Sequence, residues 1–168
     1  VVFFVEQVTG HLIPDYRYAL KHGVKEMIDT LNKKDGDGYK AFAAALECVL
    51  VLADRYRNIA LEQMKTASDE RKAQLKLMAE TLEKVPAYGA ENLYEAIQSF
   101  LLMWQIMCLE QTPNPFAFSV GNADRIFEPY RNGLSREMTA ALFKHFLVFF
   151  NVADRSWAIS QNIIVSGR

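Results

Sequence analysis

The sequence predicts a mainly α-helical segment with one short strand at its C-terminal end. Three observations carry that reading. Apolar residues recur at i, i+3 and i+4 spacing through most of the 168 residues. Pro, Gly, Ser and Asp fall where such runs begin or stop. The last residues, Ile163-Ile164-Val165-Ser166-Gly167-Arg168, read as a strand.

Taken in order, the chain opens on an apolar run, Val1-Val2-Phe3-Phe4-Val5, with no basic stretch before it. Pro14 and Asp15 start the first helix, the ring fixing the first turn and the carboxylate accepting from exposed N–H groups. Tyr16, Leu20, Val24, Met27, Ile28 and Leu31 share one face of it, and Asp35-Gly36-Asp37-Gly38 ends it in a turn. A second helix is expected from Tyr39 to Ala67, with Phe42, Ala45, Leu46, Val49, Leu52, Ala53, Tyr56, Ile59 and Ala60 inward. Ser68-Asp69-Glu70 caps a third, with Leu75, Leu77, Met78, Leu82 and Val85 as its apolar stripe and Pro86 as its stop. The fourth, Glu91 to Glu110, is apolar nearly all round and so should be buried on most sides. Thr112-Pro113-Asn114-Pro115 breaks it, and Phe116 to Tyr130 reads as irregular. Ser135 caps a last helix through Asn151. The terminal strand has no second strand in sight, and a lone strand cannot pair its backbone, so the chain reads as a piece of something larger.

Composition excludes several classes. Apolar residues are 51% and charged residues 23%, an ordinary globular balance that disfavours disorder. The net charge is -1, so no basic excess exists to drive nucleic-acid binding. The most apolar stretch, Ile97 to Leu109, is interrupted by Gln98, Ser99 and Gln105 and is shorter than the ~18 residues of a membrane span. A soluble, cytoplasmic protein is expected. The two cysteines, Cys48 and Cys108, are too few for a disulfide framework and read as buried free thiols.

No local metal motif exists, because none of His11, His22 and His145 lies i, i+3 or i+4 from another His or Cys. His22 and His145 stand in helix interiors as surface or packing side chains. His11 differs: it follows Gly10 in a loop feeding a helix N-terminus, where an imidazole is placed to bond a hydroxyl or carboxylate. The residues alone leave it open whether His11 is a site residue or a structural one.

Gly10-His11-Leu12-Ile13-Pro14-Asp15-Tyr16, followed by Leu20 and Gly23, resembles a segment of the glycyl radical enzymes, the pyruvate formate-lyase-like family. The similarity continues in order through Leu52-Ala53-Asp54-Arg55-Tyr56, Arg71 to Leu75, Val85-Pro86-Ala87 and Tyr94 to Phe100. It ends with Ser119-Val120-Gly121-Asn122-Ala123-Asp124, Glu128-Pro129-Tyr130 and Gln161 to Gly167. The resemblance implies that residues 1–168 are a single segment of such an enzyme: part of the helical shell of its β/α barrel and the start of one barrel strand. It implies a parent that performs anaerobic radical bond cleavage with a glycyl radical. A separate activating enzyme installs that radical using S-adenosylmethionine. A thiyl cysteine loop and a radical glycine are expected outside this chain, since Cys48 and Cys108 match helical positions. Further implied partners are the rest of the polypeptide, a small-molecule substrate and a second copy in a homodimer.

The resemblance also implies site residues. His11 matches an arginine in pyruvate formate-lyase and a histidine near the leaving hydroxyl in the dehydratases, so it favours a dehydratase or related lyase over a formate acetyltransferase. Phe3 matches an aromatic wall of the same pocket. Phe116 and Ala117 stand where dehydratases carry His-Ser, which makes the pocket floor more apolar and glycerol a doubtful substrate. Ser119 and Asn122 are expected to hold the loop backbone, with Asn122 replacing the usual arginine. The rival reading is a standalone helical interaction module, its Phe- and Met-rich helices offering a groove to a partner helix. Such a module should be monodisperse, whereas a shell segment should expose apolar patches and associate.

Overall fold

The computed structural model describes residues 12–110, 118–152 and 163–165, with the side chains of 109, 110, 151 and 152 excepted. Among the described residues the helices are α1 (Tyr16–Asn32), α2 (Asp37–Met64), α3 (Asp69–Lys84), α4 (Leu93–Glu110), α5 (Ala123–Phe127) and α6 (Arg136–Val152). Two short strands, β1 (Gly121–Asn122) and β2 (Ile163–Ile164), pair in parallel, Gly121 opposite Ile163.

The cap residues act as their chemistry requires. Asp15 Oδ1 accepts from the Tyr18 amide at 3.1 Å, Ser68 Oγ from Arg71 N at 3.4 Å and Ser135 Oγ from Met138 N at 3.1 Å. Helix α4 is the spine of the core, with Leu93, Ala96, Ile97, Ser99, Phe100, Leu102, Met103 and Trp104 all buried. Phe100 is the hub, its ring centroid 4.3 Å from Tyr16, 5.6 Å from Phe127 and 5.5 Å from Phe146. Trp104 and Phe150 extend the cluster at 4.7 Å, and tilted or edge-on rings dominate, as their quadrupoles favour.

Helix α1 is interrupted where a continuous helix was expected. Gly23 adopts φ 78 and ψ 166, and the loop after α3 enters the break. There the Val24 amide donates to Pro86 O (2.9 Å), Lys25 N to Ala87 O (3.1 Å) and Ala90 N to Leu20 O (2.8 Å). The Val85–Pro86 bond in this loop is cis. Glu95 and Lys84 latch the same junction, Lys84 Nζ donating to Glu95 Oε2 at 2.9 Å.

Several expectations are corrected. The terminal strand does have a partner: β1 lies within the stretch read as irregular, followed directly by α5 and a 3-10 turn, Glu128–Tyr130. A two-residue strand is too short to show period-2 patterning. On α2 the buried line is Ala43, Val49, Ala53 and Ala60, small residues that let neighbours approach. Phe42 and Ile59, expected inward, are 63% and 51% exposed, and Ala45 and Tyr56 are exposed too. On α3, Leu77 is exposed, while Leu75, Leu82 and Val85 are buried as expected. Cys48 is also exposed, one position off the buried line at Val49, with its thiol donating to Ala44 O; Cys108 is half-buried. No helix among the described residues is long and apolar enough to cross a membrane.

Candidate functional site

Four expected site residues, Phe3, His11, Phe116 and Ala117, lie outside the described residues. Their chain neighbours are described, and these come together. The Ser119 amide donates to Leu12 O at 3.0 Å, so the residue after His11 is bonded to the segment that follows Ala117. One position further along, Ile13 lies over Gly121: a Cβ built there would meet Ile13 Cγ2 at 3.0 Å. Gly121 has φ +78, a conformation side chains rarely adopt.

Each strand of this junction is anchored from behind. Residues 12–15 run straight into α1, where Asp15 caps the helix and Tyr16, 2% exposed, packs on Phe100. Burial and the neighbouring Cys108 thiol push the Tyr16 hydroxyl well above the usual tyrosine range, so it stays protonated. On the other side Ser119, Val120 and Ala123 are buried, and Ile126 and Phe127 of α5 root β1 in the aromatic cluster. Asn122 occupies the N-cap position of α5, but its side chain makes no capping bond. Its place in β1 is fixed by backbone pairing with Ile164.

The remaining histidines are engaged in helix contacts. His22 Nδ1 meets Glu26 Oε1 at 2.8 Å and stacks on Tyr18, and His145 lies 4.5 Å from the Phe149 ring. Among the described residues no three His, Cys, Asp or Glu side chains converge on a metal position. A cavity of about 320 Å³ lies beside β2, lined chiefly by Leu93, Phe127, Phe143, Phe146 and Ile163; among the described site residues, neither Ser119 nor Asn122 lines it. The pairing of Ile13 with Gly121 was not visible in the sequence. The one signal was a glycine inside the block Ser119 to Asp124.

Residues 3–167 match the PFL-like family, described as pyruvate formate lyase-like. The chain belongs to that family. Isethionate sulfite-lyase of Desulfovibrio desulfuricans is 30% identical over 133 residues, 70% of this chain and 16% of that protein. Trans-4-hydroxy-L-proline dehydratase of Clostridioides difficile is 30% identical over 131 residues, 74% of this chain and 16% of that protein. The chain thus spans about a sixth of the length of the curated relatives it matches. Among solved structures, the B12-independent glycerol dehydratase from Clostridium butyricum superposes with a TM-score of 0.78 at 22% identity. That match covers 96% of this chain and 24% of the dehydratase, and it shows the shared fold. A mainly helical segment matching a portion of glycyl radical enzyme structures is the architecture expected from the sequence.

Proposed function

We propose that this segment forms part of the helical shell, and one wall of the substrate pocket, of a glycyl radical enzyme that cleaves a carbon–heteroatom bond as a dehydratase or related lyase. The observation that supports it most is the bond from Ser119 N to Leu12 O. It joins the two chain segments, one after His11 and one after Ala117, that carry the expected pocket residues. Relatives that are lyases and dehydratases support the reaction class over pyruvate cleavage.

In this reading His11 orients the departing group and gives it a proton as the bond breaks. Phe3, Phe116 and Ala117 supply apolar walls that exclude water from the reacting centre. Ser119 and Asn122 hold the backbone of the wall, Ser119 through its amide. The apolar floor suits a substrate bulkier or more apolar than glycerol, because an unpaired hydroxyl buried against it costs ~1–3 kcal/mol. When installed by its S-adenosylmethionine-dependent activating enzyme, the parent's glycyl radical supplies the hydrogen abstraction. The thiyl cysteine belongs to a part of the parent outside this chain, since Cys48 and Cys108 both stand on helices, α2 and α4. The parent is a homodimer.

The test is anaerobic turnover by the full-length, activated enzyme offered isethionate, trans-4-hydroxy-L-proline, 1,2-propanediol, glycerol and pyruvate. Cleavage of a carbon–oxygen or carbon–sulfur bond is expected, and His11→Ala should abolish it while the melting temperature holds. Pyruvate cleavage, or normal turnover by His11→Ala, would refute the assignment.

A further inference from the structure

Helix α2 turns its buried line, Ala43, Val49, Ala53 and Ala60, toward its neighbours and leaves the opposite face exposed. A line of residues runs down that outer face at three- and four-residue steps: Lys40, Ala44 and Glu47, then Val51, 53% exposed, then Arg55, Asn58 and Glu62. The line is a palindrome in charge. Counted outward from Val51, Glu47 matches Arg55, Ala44 matches Asn58 and Lys40 matches Glu62, and at the helix ends Asp37 matches Lys65. Every charged position on it is matched by the opposite sign.

Lys40 pairs with Asp37 and Lys65 with Glu62 along the helix, but neither Glu47 nor Arg55 makes an ion pair among the described residues. These two stand eight positions apart, about 12 Å along the axis, so one helix cannot pair them with each other. A second α2 laid antiparallel across a two-fold axis at Val51 pairs them twice, Glu47 of each copy with Arg55 of the other, as an isologous contact requires. Val51 then meets its own copy, and the small side chains of Ala44 and Cys48, both exposed, let the axes approach. Resting on the reading that the parent is a homodimer, we propose that the outer face of α2 is part of the dimer interface, docked antiparallel on the same helix of the second copy. A covering segment from elsewhere in the parent gives no reason for the signs to mirror about Val51.

The test is sedimentation velocity of the full-length parent over a dilution series at low salt, where surface charges act most strongly. Arg55→Glu turns both cross-axis pairs into repulsions and should raise the dimer Kd about tenfold or more, and Glu47→Arg should do the same. The double variant restores opposite signs and should return to within about threefold of wild type. Only a contact between copies allows that recovery, because the two positions are out of reach within one helix. A dimer indifferent to both single changes, or a loss that the double variant does not recover, overturns the proposal and leaves the homodimer standing. The second of those results would mean that another part of the parent covers this face. A monomeric wild type overturns the homodimer reading, and this proposal with it.

Discussion

Replacing Gly23 with alanine tests the seam between α1 and the loop that follows α3. At φ 78 and ψ 166 the residue lies in a region that is essentially glycine-only, at a cost of about 1–3 kcal/mol for a side chain. The added Cβ would sit 2.5 Å from Ala87 O and from the Tyr88 carbonyl carbon and Cα, all backbone atoms that no rotamer change can move. Relieving that clash parts α1 from the loop and breaks the bonds from Val24 N to Pro86 O and from Lys25 N to Ala87 O. Each is worth about 0.5–1.5 kcal/mol net, so the total loss is about 2–6 kcal/mol. Gly38→Ala is the control, because that glycine lies in the first turn of α2 with no heavy atom within 4 Å of a built Cβ. It should be neutral or stabilise by up to ~1 kcal/mol. Urea unfolding of both variants, followed by far-ultraviolet circular dichroism, measures the difference. With a slope of roughly 1–3 kcal/mol/M, Gly23→Ala should lower the midpoint by about 2 M. A midpoint equal to that of Gly38→Ala would refute the idea that backbone contact at Gly23 holds the seam.

Two further outcomes follow from the core and the latch. Phe100→Ala removes the hub of the aromatic cluster, which is fully buried, and should cost about 3–5 kcal/mol in the same unfolding assay; a loss under about 1 kcal/mol would mean the cluster collapses around the gap. At Glu95, burial raises the carboxyl pKa. Hydrogen bonds from Lys84 and the Glu91 amide, the Lys84 charge and the Asn92 side chain outweigh it, so the net value is below the ordinary one. A depressed carboxylate stabilises the fold above its unfolded pKa of ~4.3, and that contribution is lost as pH falls through the folded value. The melting temperature of Glu95→Gln should therefore lie below wild type at pH 7 and converge with it as pH falls below about 4. A gap that stays constant across that range would refute the linkage.

The helices were legible because their signals are local. Asp15, Ser68 and Ser135 each cap the helix expected of them, and the apolar girth of α4 foretold a buried spine. What escaped was set by distant partners. The break at Gly23 depends on a loop some sixty residues later, and a glycine inside a helical pattern does not announce it. Strand β1 exists because β2 pairs with it, and two residues carry too little pattern to be recognised. On α2, Val49, Ala53 and Ala60 lie inward as expected, but how wide a stripe is covered depends on where α1 and α3 lie, so Phe42, Ala45, Tyr56 and Ile59 are exposed. At the site, the ordered blocks marked Ser119 and Asn122, whereas the clasp of Ile13 on Gly121 is a tertiary contact with no local signature.

The parallel pair of β1 and β2 has a consequence for the order in which the protein assembles. Among the described residues Gly121 pairs with Ile163 and Asn122 with Ile164, and α5, the 3-10 turn and α6 all lie between the two strands. Their ladder cannot form until that long intervening chain has been closed, which costs entropy first. The expected order is that the rings of α4, α5 and α6 pack first, Phe100, Phe127, Phe146 and Phe150 closing on one another and bringing the strands together. The sheet is the passenger of that event and should be the last part to gain protection from hydrogen exchange. On that order, the wall that carries Ser119 and Gly121 should take its final shape only at that late step.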